Sequence, residues 1–285
     1  MNSTTLPLLP VPPTIWQWRG HNIATYRAGV GAPVVLIHSI NAAASAFEMR
    51  GPFCGLQDRY AVHALDLLGY GNSDRPERRY SAEDYTALIS DYLATLDAPA
   101  TLIASSLGAA YAVAATDRCP DRVRGLVLAG PVGITQLAER PSPLAYAVYR
   151  ILRGPVGRVV FRLLTTRAGT RYFLRTQAYY RASAIDQETH DGFYYTCQHP
   201  NAFYAPICFL TGLLNCDISA AFARLRVPIL LIWGRQSQTT PASRAAEFQA
   251  RNSQARLEII DQAGLMVQDE QPAEFNRLVR EFLAA

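Results

Sequence analysis

The sequence predicts an α/β protein: a mostly parallel eight-stranded sheet flanked by helices, with one helical insertion over the sheet's carboxyl edge. Two observations predict it. Short β-rich apolar runs alternate with longer segments in which apolar residues recur every three or four positions, the pattern of parallel strands covered by helices. Between 132 and 225 that rhythm gives way to aromatic, arginine-rich material with no clear strand. At 285 residues and 49% apolar, the chain can bury one sizeable core.

Taken in order, strands are expected at 15–19 and 23–27, meeting at Gly20-His21 like a hairpin, then at 34–38, 60–66, 101–105, 123–130, 228–234 and 257–261. Helical spacing marks 82–96, 107–118, 242–251 and 272–284. Ser81 followed by Asp84 is a capping signal, and Pro272 suits a first helical turn. On this reading 1–131 with 226–285 form the core and 132–225 a cap. From 140 to 185 the chain holds nine arginines and no aspartate or glutamate. The expected arrangement is apolar stripes toward the core and arginines toward water. A basic amphipathic surface that touches anionic lipid or admits a lipophilic substrate is the alternative.

Composition excludes several classes. The net charge is only +4, and all 27 cationic side chains are arginines. Without a basic tail or aromatic-spaced basic strand, nucleic-acid binding is not expected. Five scattered cysteines with no metal-ligand spacing read as reduced thiols of a cytoplasmic protein. The start of the chain, with prolines at 7, 10, 12 and 13, does not read as a secretory signal, and no apolar run is long enough to be expected to span a membrane. No metal or nucleotide motif is present, so no cofactor is expected.

The run 101–111 reads as a buried strand, a small-residue turn and a helix. Within it Ala104-Ser105-Ser106-Leu107-Gly108 has the form of a G-x-S-x-G nucleophile elbow with alanine for the first glycine. Small neighbours two residues either side let strand and helix approach and hold the serine out on a strained turn. Val34-Val35-Leu36-Ile37-His38-Ser39 and the turn Asp66-Leu67-Leu68-Gly69-Tyr70-Gly71-Asn72-Ser73 accompany it. With these motifs, the chain from about 16 to 283 resembles a cap-bearing α/β-hydrolase of the esterase, haloalkane-dehalogenase or epoxide-hydrolase-like type. The resemblance implies the α/β-hydrolase fold, a nucleophile at Ser106, and an oxyanion hole from the backbone N–H groups of Leu107 and Ile40, each donor contributing about 3 kcal/mol. The dehalogenase and epoxide-hydrolase mechanisms need aspartate at the elbow, where this chain has serine.

Two positions depart from the family's pattern. The triad acid's slot, three residues after Gly234 and four before Pro241, holds Ser237. The histidine's slot in Ala263-Gly264-Leu265 holds Leu265, with Glu270 and Pro272 at their usual distances. A serine hydroxyl without an imidazole is a poor nucleophile near neutral pH. Alternative bases are His199 and His190 in the insertion, where the plain reading is a surface histidine, and His38, which the resemblance makes structural. His63 reads as a core residue, and Glu270 as a cap of the last helix. Two functions follow. One is a noncanonical hydrolase, esterase-like or lyase-like, acting on a lipophilic carbonyl substrate. The other is a catalytically silent pseudo-hydrolase that binds a small apolar ligand, a partner or, through the arginine-rich cap, a membrane surface.

Overall fold

The structure, a computed structural model, describes residues 8–285. The first seven residues of the proline-rich start lie outside the described residues; Leu8 and Leu9, which follow them, are buried against the core.

Eight strands form one sheet: β1 Thr14–Trp18, β2 His21–Ala28, β3 Pro33–Ile37, β4 Ala61–Leu65, β5 Ala100–Ser105, β6 Val123–Ala129, β7 Ile229–Gly234 and β8 Arg256–Ile260. Their spatial order is β1-β2-β4-β3-β5-β6-β7-β8. β1 and β2 form the antiparallel hairpin expected at Gly20, β2 runs antiparallel to β4, and every later pairing is parallel. β5 and β7 are buried along their whole length because helices cover both faces, which is why they read as continuous apolar runs.

The helices are α1 Arg50–Leu56, α2 Ala82–Ala94, α3 Ser106–Arg118, α4 Pro143–Leu152, α5 Pro155–Leu164, α6 Arg167–Phe173, α7 Gln187–Cys197, α8 Tyr204–Leu210, α9 Ser219–Arg224, α10 Ala245–Arg251, α11 Val267–Glu270 and α12 Pro272–Ala284. Their starts follow local chemistry. Ser81 and Asp84 close the capping box of α2, and Ser142, Thr166 and Asp186 each accept from an amide in the first turn of α4, α6 and α7. α4, α5 and α12 begin on proline.

Between β6 and β7 the expected orientation of the apolar stripes is overturned. α5 buries only Gly157 and Phe161, while Val156, Val159, Val160, Leu163 and Leu164 face solvent; α4 buries only Tyr149 and exposes Leu144, Val148 and Ile151. The amphipathic period is present in the sequence, but the face that packs inward is the narrow one. Gly157 decides this on α5: a Cβ there would meet the carbonyl oxygen of Leu152 at 1.7 Å and the side chain of Ile207 at 2.7 Å.

Candidate active site

Ser106 is the first residue of α3 and has φ of 51°, a left-handed conformation that costs a non-glycine residue about 1–3 kcal/mol. The turn is this tight because β5 ends at Ser105 and α3 begins on the next residue. Gly108 brings α3 against the end of β3: a Cβ at 108 would lie 2.1 Å from the His38 carbonyl oxygen. That approach sets the first turn of α3, which contains Leu107, beside the loop that contains Ile40. No side chain caps the start of α3, and an uncapped first turn leaves its amides available to a developing negative charge. The half-buried Ser106 hydroxyl has no hydrogen-bond partner among the described residues.

The loop after β3 is held by a carboxylate that sequence reasoning missed. Glu48 is fully buried and accepts hydrogen bonds from the Ser39 amide (2.9 Å), the Ser39 hydroxyl (3.0 Å) and the Asn41 side chain (2.8 Å). Burial pushes its pKa up to about 7, against the pull of those donors. The sequence offered a signal that pointed elsewhere. Ser45 to Glu48 has capping-box spacing, but only the serine half acts as a cap, and the glutamate turns toward 39–41. Ser39 is thus tied down by side chain and backbone together.

His38 is fully buried, its Nδ1 bonded to the Ser39 carbonyl at 2.5 Å and its Nε2 accepting from the Leu67 amide at 3.0 Å. Burial lowers its pKa to about 4, so the ring is neutral and both nitrogens are engaged by backbone. His63 bonds the Tyr92 hydroxyl at 2.8 Å from within β4. His190 is not a surface residue. It is buried, bonds the Arg167 carbonyl at 3.0 Å and stacks on Tyr194. His199 packs edge-on to Tyr195 and lines a groove with Arg158, Arg162 and Asn201 whose walls do not include Ser106. Burial, then Arg75, lower its pKa to about 4.

The two loops after β7 and β8 come together. A Cβ on Gly234 would lie 2.2 Å from the Gly264 carbonyl oxygen, and the Gln236 amide donates to Ala263 at 3.0 Å. Ser237 is buried, with its hydroxyl 3.2 Å from that of Thr240. Thr240 and Leu265 both come close to Gly130, at 3.1 and 3.9 Å from where its Cβ would be. The slots for acid and base are therefore adjacent, filled by an uncharged hydroxyl pair and a buried aliphatic side chain. Leu265 belongs to the apolar cluster that also contains Ile260, Met266 and Val267.

Glu270 does not cap α12. Its carboxylate accepts from the amides of Gly264 (2.8 Å), Tyr180 (3.0 Å) and Arg181 (2.6 Å), clamping the 264–265 turn to the segment that follows α6. Beside it Asp269 pairs with Arg50 at 2.8 Å and accepts from the Tyr179 hydroxyl; burial nevertheless raises its pKa to about 6.

An apolar cavity of about 380 Å³ lies between α5, α6, α8 and the Asn41-Ala42 loop. Its walls do not include Ser106. The Asn41-Ala42 loop in its wall is the one that Glu48 fixes and that carries Ile40.

A profile described as the alpha/beta hydrolase family matches residues 34–278. The chain belongs to the α/β-hydrolase family. Among relatives, an uncharacterized protein of Mycobacterium tuberculosis is 27% identical over 97% of this chain and 83% of its own length. The 2-hydroxymuconate semialdehyde hydrolase of Pseudomonas sp. (strain CF600) is 28% identical over 90% and 88%. Among solved structures, a meta-cleavage product hydrolase from Pseudomonas fluorescens IP01 is 26% identical, with a TM-score of 0.75 over 93% of this chain and 95% of that one. These likenesses agree with the α/β-hydrolase fold seen in the sheet order.

Proposed function

We propose that this α/β-hydrolase-family protein polarises the carbonyl group of a small lipophilic molecule. Ser106 stands at the carbonyl carbon, the amides of Leu107 and Ile40 stand at its oxygen, and water or a residue of the 132–225 segment takes the serine's proton. The observation that carries this reading is the strained left-handed backbone that holds Ser106 at the join of β5 and α3. It makes the protein a noncanonical hydrolase, esterase-like or lyase-like. Relatives named as hydrolases of 2-hydroxymuconate semialdehyde and 2-hydroxy-6-oxo-2,4-heptadienoate, both carbonyl compounds, support the substrate class. In this reading 132–225 is a cap over a core built from 1–131 and 226–285. Five free thiols suit a cytoplasmic location.

The Ser237–Thr240 hydroxyl pair and the buried Leu265 favour a second reading, a silent binder that keeps the pocket and not the chemistry. Contact of the arginine-rich cap with a membrane fits either. Turnover of short and long acyl esters and of 2-hydroxy-6-oxo dienoates by the wild type and by Ser106→Ala separates them. Activity lost with the serine supports the enzyme; equal background rates in both proteins establish the binder.

A further inference from the structure

The outward-facing stripes of α4 and α5 are not scattered surface residues. On α5 they follow i, i+3, i+4, i+7 and i+8 from Val156 to Leu164, and Leu163 is 68% exposed; on α4 Leu144 and Ile151 are 72% and 63% exposed. Tyr172 on α6 and Leu210 on α8 extend the patch. A contiguous apolar surface of this kind marks a site of contact with another phase or molecule.

The other edge of the same helices is cationic, with Arg150 and Arg153 on or just after α4 and Arg158 and Arg162 on α5. Of the nine arginines between 140 and 185, only Arg167 and Arg181 form ion pairs among the described residues, with Asp191 and Glu270. An amphipathic helix with an apolar face and an arginine-rich polar face has the composition of one that lies in a bilayer interface. Its stripe enters the acyl region while the guanidinium groups stay at the phosphates. Here that stripe is already turned away from the protein core.

The cavity supplies the independent observation. Val160, Leu163, Leu164, Tyr172 and Leu210 are both wall residues of the 380 Å³ cavity and members of the exposed patch. The cavity therefore opens within the apolar surface, and the Asn41-Ala42 loop forms part of its wall.

We infer that the outer face of α4, α5 and α6 docks on an anionic phospholipid bilayer, and that the cavity draws an acyl-bearing substrate from that bilayer toward the loop containing Ile40. The second half rests on the proposed carbonyl chemistry; the docking does not. A second copy of the chain is the weaker occupant. A two-fold contact sets a patch against itself, and this one would oppose unpaired arginines. Anionic headgroups complement them.

The test is flotation of the full chain with vesicles of phosphatidylcholine alone and of phosphatidylcholine with phosphatidylglycerol, with Ile151→Asp/Val159→Asp as the patch variant. Val30→Asp, at a still more exposed apolar position on the β2–β3 turn, is the control. Melting temperatures check that all variants fold. The wild type should float with the anionic vesicles, less so at high salt, and the patch variant should lose roughly tenfold or more of its partition while the control is unchanged. Arg150→Gln/Arg162→Gln should erode the preference for phosphatidylglycerol. Ser106→Ala should float like the wild type, so a failure of the catalytic reading leaves this result intact. No flotation with either vesicle, equal flotation with both, or flotation undiminished in the patch variant overturns the inference. So does a dimer that the patch variant dissociates in a protein that ignores vesicles.

Discussion

Replacing Leu265 by histidine is the sharpest question that can be put to a single residue, because its neighbours already have the form of a catalytic loop. Gly264 is clamped through Glu270, and Leu265 lies beside the slot that Ser237 fills. Leu265→His combined with Ser237→Asp should raise ester kcat/KM by about a thousandfold or more, and Ser106→Ala in that background should abolish the gain. Leu265→His alone should give much less, since the imidazole would lack the carboxylate that orients it. Glu48 carries a second expectation. Its pKa rises from 4.5 to about 7 on folding, so between those values the native state holds a proton that the unfolded chain has released. The stability this group contributes is complete below 4.5 and is lost as pH climbs toward 7, a loss on the order of 3 kcal/mol. Glu48→Gln does not titrate, so unfolding in urea should show the gap between wild type and variant closing as pH rises across that window. A constant gap would mean that Glu48 is ionised throughout.

Among elements, the join of β5 and α3 depends on Gly108. A methyl group at 2.1 Å from the His38 carbonyl oxygen cannot be accommodated without moving α3 off β3. Gly108→Ala should cost about 3 kcal/mol in urea unfolding and weaken any Ser106-dependent activity beyond what that loss explains. This join was legible in the sequence because its requirements are local: a buried strand, small residues at 104 and 108, and a helical period after them. The eight strands were legible for the same reason, since β-rich runs between turn residues leave little choice of register. The direction of α4 and α5 was not. Their period shows that each helix has two faces, but nothing in it says that the narrow face of Gly157 and Phe161, rather than the wide stripe, meets the protein. The role of Glu48 was hidden too, because its local spacing spells a helix cap while its partners at 39 and 41 come from the preceding loop. His190 looked like a surface residue because the Arg167 carbonyl that it bonds comes from α6, packed on α7, while Tyr194, four residues along α7, stacks on its ring.

For the molecule as a whole, the fold spends its organisation on one end of the sheet. The elbow, the loop held by Glu48, the two paired loops after β7 and β8, and the cavity that opens through an apolar surface all gather there. The account stands or falls on whether Ser106 is chemically competent in that setting. Intact-mass measurement after incubation with a fluorophosphonate, comparing wild type with Ser106→Ala, tests this most directly. The account expects one adduct on the wild type, located at Ser106 by peptide mapping and absent from the variant. An unmodified wild type, or equal modification of both proteins, would contradict it.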